Sequence, residues 1–116
     1  MGMRVKFTVP GKPIPLARAR LGKSGRFYTP KKCLEWQRKV HLFATAAGLR
    51  KTDKAIAIKA VFYRSDNRRL DIDNLQKNLF DALRYFFDDS QIIEVHVAKR
   101  GCEKGAERTE VEIWTR

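Results

Sequence analysis

The sequence predicts a small α/β (α+β) domain, a mixed sheet with two helices packed on it, in the order β-α-β-α-β-β. Three observations lead there. Apolar and polar residues alternate over 3–9, 92–99 and 109–115, the two-residue period of half-buried strands. Two other segments repeat apolar residues at helical spacing. The chain has 116 residues, 43% of them hydrophobic, which suits one core and leaves little room for a second. A single domain over residues 1–116 follows, small enough that pairing subunits would help by burying more surface.

In the first strand Val5, Phe7 and Val9 alternate with Arg4, Lys6 and Thr8, and Pro10 ends it. Residues 10–28 collect Pro10, Gly11, Pro13, Pro15, Gly22 and Gly25 and read as a long loop. That loop carries Lys12, Arg18, Arg20, Lys23 and Arg26 beside Phe27 and Tyr28. Cations that reach phosphates and aromatic faces that stack on bases suit a flexible nucleic-acid-binding segment that orders on contact. A basic loop with no specific task is the plainer alternative. Thr29 as N-cap with Pro30 at the first helical position starts a helix. Its stripe is Trp36, Val40, Phe43, Ala44 and Ala47, its polar side Lys31, Lys32, Glu35, Arg38 and Lys39, and Gly48 stops it. His41 stands alone there, which fits packing or surface better than ligation.

Residues 55–63 are apolar on both faces apart from Lys59, which fits a central strand covered on both sides or one with its second face at an interface. The second helix has the stripe Leu75, Leu79, Ala82, Leu83 and Phe86, with Asn74, Lys77, Asp81, Arg84 and Asp88 on its polar side. The strands at 92–99 and 109–115, with Gly101 and Gly105 between them, predict a closing hairpin.

Charge narrows the function. Lys and Arg number 25 against 13 Asp and Glu, for a net charge of +12. A surplus of that size points first to a polyanion, most often nucleic acid. Nine basic residues precede the first acidic one, Glu35, so the N-terminal third is purely cationic. Cys33 and Cys102 have no motif spacing; they read as reduced thiols and argue against a disulfide framework or a zinc site. No apolar run approaches a membrane span and no signal-peptide pattern opens the chain, so a cytoplasmic protein is expected.

Against that background, six of seven aspartates lie between Asp66 and Asp89. Asp71 and Asp73 are two apart, so an extended segment would project both to one side, just before the helix. Lys77 reaches back toward them from one turn into that helix. If the strand after Asp88-Asp89 pairs beside the one ending near residue 63, one of those two acids meets Asp71 and Asp73. Clustered carboxylates repel each other and repel phosphate, so a basic protein gains from them only with a cation between. All-oxygen ligation suits Mg²⁺, which typically takes one or two carboxylates with waters and phosphate oxygens. Plainer roles are also open: Asp73 as a helix cap paired with Gln76, Asp81 as the i,i+4 partner of Lys77, and Asp88-Asp89 as a solvated turn.

The stretch "LDIDNLQKNLFDAL" followed by "DDSQI" resembles the RusA family of Holliday junction resolvases. The matching pattern is D-x-D-N-x-x-K (Asp71, Asp73, Asn74, Lys77), then F-D-A-L (Phe80 to Leu83), then D-D-x-Q (Asp88, Asp89, Gln91) and a hydrophobic residue. "GKPIPLARAR" and "GRFYTP" also look like the start of phage and prophage members. The resemblance implies a Mg²⁺-dependent endonuclease, with Mn²⁺ able to substitute. It would be a homodimer, cutting four-way DNA junctions by paired symmetric nicks, in bacteria or in a phage-infected host. It implies Asp71, Asp73 and Asp89 as catalytic and metal-binding carboxylates and Lys77 as the essential lysine. Here the link Arg84-Tyr85-Phe86-Phe87 is shorter than in familiar members and lacks their glycine; Asp89 is preferred over Asp88 because it adjoins Ser90-Gln91. Leu70 stands where a basic residue can occur, and Arg68 and Arg69 supply that charge. DNA would be gripped by Lys12, Arg18, Arg20, Lys23, Arg26, Lys31, Lys32, Arg68, Arg69 and Lys77, with no membrane and no small-molecule cofactor involved. The rival readings are a non-catalytic nucleic-acid-binding module, a basic assembly protein with an acidic partner, and a nuclease for other branched DNA.

Overall fold

The computed structural model describes residues 2–17, 20–66 and 70–116, with the backbone alone at Arg20. Its strands are β1 (Arg4–Pro10), β2 (Arg20–Leu21), β3 (Phe27–Tyr28), β4 (Ile56–Arg64), β5 (Ile92–Gly101) and β6 (Arg108–Thr115). Its helices are α1 (Lys31–Ala46) and α2 (Ile72–Leu83), with a 3₁₀ turn at Asp89–Gln91. β1, β6, β4 and β5 lie side by side in that order. β6 is antiparallel to both neighbours, while β4 and β5 run parallel. The expected α+β architecture, two helices on a mixed sheet, is the one observed.

The alternating pattern of β1 is realised in full: Val5, Phe7 and Val9 are buried, their neighbours exposed. These side chains meet Val111 and Ile113 of β6 and Ile58, Ala60 and Phe62 of β4 in one core. α1 adds Trp36, Val40 and Ala44, and α2 adds Leu75, Leu79 and Leu83. Each fully buried large side chain contributes about 1.5–3 kcal/mol, which is why the apolar stripes, and not the weak caps, fix both helices on the sheet. His41 packs between the rings of Tyr85 and Phe86.

Four local expectations change. The 92–99 and 109–115 segments do not form a hairpin, because β4 lies between them. β4 is apolar on both faces and takes the central place, so it outcompetes β5 for the edge of β6. Residues 10–28 are not loop throughout, since β2 and β3 form a small hairpin turning at Gly22–Gly25. The N-cap of α1 is Pro30, and that of α2 is Asp71, neither making a side-chain cap bond. Asp73 therefore lies inside the first turn of α2, not in an extended segment.

Loop 11–17 is held down by polar contacts. Asn78 is fully buried; its Nδ2 donates to the Ile14 carbonyl at 2.8 Å and its Oδ1 accepts from Gln37 Nε2 at 2.7 Å. The Leu16 amide donates to the Asn74 carbonyl. Asn78→Leu keeps the volume but strands both partners, so it should destabilise the protein by about 1–3 kcal/mol. Urea unfolding checks the loss, and faster hydrogen exchange at the Leu16 amide checks its location.

Candidate active site at the start of the second helix

The topology decides where the acids stand. α2 runs back across the sheet between β4 and β5, so its first residues lie near the C-terminal end of β4 and its last near the N-terminal ends of both strands. Asp71 and Asp73 open α2, and Lys77 follows one turn later. Lys77 Nζ lies 3.1 Å from Asp73 Oδ2, and both side chains are more than half exposed. The structure thus brings Asp71, Asp73 and Lys77 together.

It does not bring Asp89 to them. The ten residues 74–83 of α2 and the link after them lie between Asp73 and Asp89, about 15 Å of helix. The expectation that pairing of β5 beside β4 would unite them is overturned, because parallel pairing sets Asp89 at the opposite end of the strands. Among the described residues no three acidic, histidine or cysteine side chains converge as a metal would need. Asp71 and Asp73 nevertheless fit Mg²⁺ in kind and number, being exposed oxygen donors of the sort it takes from protein.

Asp88 and Asp89 differ in occupation. Asp88 accepts from the Ser90 amide and hydroxyl, while its own amide donates to Gln91 Oε1, a closed capping box. Those bonds, the Ser90 hydroxyl first, hold its carboxyl below the ordinary carboxylate range. Among the described residues, the Asp89 side chain carries only an exposed ion pair, Oδ2 to Arg84 NH2 at 3.2 Å. Arg84 also meets Asp81 at 2.8 Å, so Asp81 pairs with it and not with Lys77.

Cations gather beside Asp71. A groove of about 490 Å³ runs between loop 12–17 and the start of α1, lined by Lys12, Lys31, Lys32 and, at its end, Leu70. Lys32 is exposed there, and Lys31 makes only a 3.7 Å exposed pair with Glu35. Lys23 and Arg26 are exposed on the β2–β3 hairpin, next to Leu21, Phe27 and Tyr28, all three more than half exposed. The predicted contacts Arg18, Arg68 and Arg69, and the side chain of Arg20, lie outside the described residues.

Sequence reasoning missed the clamp under this groove. Arg64 ends β4 almost buried; its NH1 donates to the Pro13 carbonyl, and its Nε and NH2 donate to Asp66 at 3.0 and 2.8 Å. Lys12 Nζ reaches the same carboxylate at 3.0 Å. The only signal was an arginine closing a strand that is apolar apart from Lys59. Lys99 was missed too: its ammonium donates to the Leu70 carbonyl, tying β5 to the residue before Asp71.

Comparison with known proteins adds a relationship. The family model described as Endodeoxyribonuclease RusA matches residues 10–114. A stretch of 53 residues is 40% identical to the crossover junction endodeoxyribonuclease RusA of Escherichia coli K12, covering 43% of this chain and 44% of that protein. The protein of the same name from Enterobacteria phage 82 matches equally, and that of Lactococcus phage r1t is 44% identical over 62 residues, 51% of this chain and 46% of the relative. The matched stretches thus span about half the length of these relatives.

The Arg64–Asp66–Lys12 clamp makes a pH prediction. Hydrogen bonds from Arg64 and then Lys12 hold the Asp66 carboxyl far below its usual range. A depressed folded pKa stabilises the fold above the unfolded value, about 3.9, and that stabilisation drains away as pH falls below it. Asp66→Asn should therefore melt below the native protein at neutral pH, with the gap closing under about pH 4. Melting temperatures of both proteins from neutral to strongly acid pH test this; a gap that persists into acid rules the clamp out as its source.

Proposed function

Because the chain belongs to the RusA endodeoxyribonuclease family, we propose that it resolves four-way (Holliday) DNA junctions as a Mg²⁺-dependent homodimeric endonuclease. The observation that carries this reading is the placement of Asp71, Asp73 and Lys77 at one end of α2, beside a groove lined by Lys12, Lys31 and Lys32. The naming of its relatives as crossover junction endodeoxyribonucleases supports the substrate.

In this reading the groove and the β2–β3 hairpin grip phosphates and present aromatic faces, so the branch is recognised by shape and backbone. The sequence adds Arg18, Arg20, Arg68 and Arg69 as further candidate phosphate contacts. Asp71 and Asp73 are the carboxylates that hold the divalent cation, with Mn²⁺ able to replace Mg²⁺; Asp89, at the far end of α2, reaches that cation only from the second chain of the dimer. When bound, the cation supplies acidity to a water and polarises the phosphodiester. Lys77, held beside Asp73, sets an ammonium where negative charge builds on the phosphate as its P–O bond breaks. The carboxylates also repel DNA when no cation is present, which keeps the acidic end from binding backbone unproductively. A two-fold dimer presents two such sites to a junction of nearly the same symmetry, as paired nicks require.

Asp71→Asn and Asp73→Asn should each lower junction cutting by on the order of 10²-fold or more while holding or tightening junction binding. A gel assay with a synthetic junction and a linear duplex of the same sequence, in Mg²⁺ and in EDTA, reads both effects. Undiminished cutting by either variant overturns the site; cutting of flaps in preference to junctions redirects the substrate. Lys31→Ala with Lys32→Ala should weaken junction binding and flatten its dependence on log salt by about two units. Unchanged titrations at several salt concentrations would remove the groove from the DNA surface.

A further inference from the structure

Asp71 is held on both sides of its Cα, while its carboxylate makes no bond to the helix it opens. It is the N-cap of α2, with φ −70° and ψ 123°, and its side chain caps nothing. Its carbonyl accepts from the Asn74 amide at 3.0 Å and the Leu75 amide at 3.3 Å, which fixes the peptide that follows it. The peptide that precedes it is held from another element: Lys99 Nζ donates to the Leu70 carbonyl. We propose that Lys99 is a positioning residue of the acidic site, holding the Leu70–Asp71 peptide so that the Asp71 carboxylate is preset for a divalent cation. This rests on the reading of the protein as a metal-dependent nuclease and adds the residue that orients its first carboxylate.

The sheet dictates where Lys99 stands. Its register with β4 sets it opposite Phe62, whose side chain is fully buried in the core beneath the helices. Lys99 therefore leaves β5 on the helix side, where an ammonium has no place in the apolar interior. Its stem borders a cavity of about 190 Å³ lined also by Phe62, Leu70 and Leu75, and carries the charge out to solvent. There it meets the Leu70 carbonyl. Among the described residues no carboxylate pairs with Lys99. An apolar side chain would suit that lining as well, so the bond at its tip accounts for a lysine here.

The bond acts on Asp71 through the backbone. A peptide unit is planar, so holding the Leu70 oxygen fixes the Asp71 nitrogen and the Cα that bears the carboxylate. With both flanking peptides held, only side-chain torsions remain to Asp71. Groups that hold a metal ligand from behind typically change metal affinity by about 10–100-fold when removed. The charge of Lys99 works the other way, because a cation nearby disfavours a second cation. The two effects have opposite signs, and a neutral substitution separates them.

Lys99→Met keeps the apolar stem and removes the ammonium; Lys99→Arg keeps a cationic donor. Mn²⁺ binding to the full chain without DNA is read from the electron paramagnetic resonance of free Mn²⁺, with Asp71→Asn marking the site. Lys99→Met should weaken the Asp71-dependent binding by about tenfold, and Lys99→Arg should restore most of it. The Mg²⁺ concentration for half-maximal junction cutting should rise by the same factor in Lys99→Met. Junction binding in EDTA should keep its dependence on log salt. Unchanged or tighter Mn²⁺ binding by Lys99→Met overturns the proposal; if the salt slope also falls by about one unit, Lys99 is a phosphate contact instead. Weakening that Lys99→Arg fails to restore overturns it too, since the donor is then not what matters. If the native protein binds Mn²⁺ through Asp71 and cuts no branched DNA, the nuclease reading falls, and the Mn²⁺ titrations still decide the role of Lys99.

Discussion

Parallel pairing of β4 with β5 obliges the chain to cross back over the sheet between them, and α2 is that crossover. Most of what matters at the site follows. The helix buries Leu75, Leu79 and Leu83 against the sheet, so its rotation and direction are fixed by the core. Its first turn must then sit over the exit of β4 and its last over the entry of β5. Asp71 and Asp73 ride on the first, Asp88 and Asp89 follow the last at the 3₁₀ turn into β5, and no local rearrangement can bring them together without unpacking the core.

The cationic side is positioned by a different device. Loop 11–17 buries Pro13 and packs Ile14 against the core, and polar bonds fix its backbone: Asn78 to the Ile14 carbonyl, Arg64 to the Pro13 carbonyl. Arg64 is nearly buried, and a guanidinium there needs its charge answered; Asp66 answers it and takes Lys12 as well. The groove wall and the acidic turn before α2 are thus one electrostatic unit, with its cations and acids anchored to a strand and not to the loop.

How much of this could be read in the sequence depended on how local each determinant is. The strand periods and helix stripes were legible because solvent exposure writes them residue by residue. The reach of Lys77 back toward Asp73 was legible from its place one turn into the helix, whereas the i,i+4 pairing offered for it with Asp81 is not the one formed. Failures came where two segments compete or combine. Nothing within 92–115 reveals that β4 inserts between its two strands, since a turn with two glycines looks the same in either topology. The β2–β3 hairpin has two residues per strand, too few for a period. The Arg64 clamp joins residues far apart in the chain, and only the fold brings Pro13 to it. The separation of Asp89 from Asp71 followed from strand order and could not be read before it.

The gathering of acids in a basic chain sorts by occupation once the structure is in hand. Asp66 holds a nearly buried arginine, Asp81 binds Arg84 within its own helix, and Asp88 closes a capping box. Those three have work within the fold. Among the described residues, Asp71 occupies the N-cap without capping, Asp73 makes an exposed pair with Lys77, and Asp89 one with Arg84. Exposed pairs of that kind contribute about 0–1 kcal/mol and are loosened by salt. The fold gives these three little reason to be acidic, and in a chain of net charge +12 they work against the capture of any polyanion. All three also stand in the D-x-D-N-x-x-K and D-D-x-Q pattern. Under the proposed nuclease reading, groups that cost binding and add little stability are accounted for by chemistry at the bound strand, with lysines to draw the backbone in and carboxylates reserved for a cation.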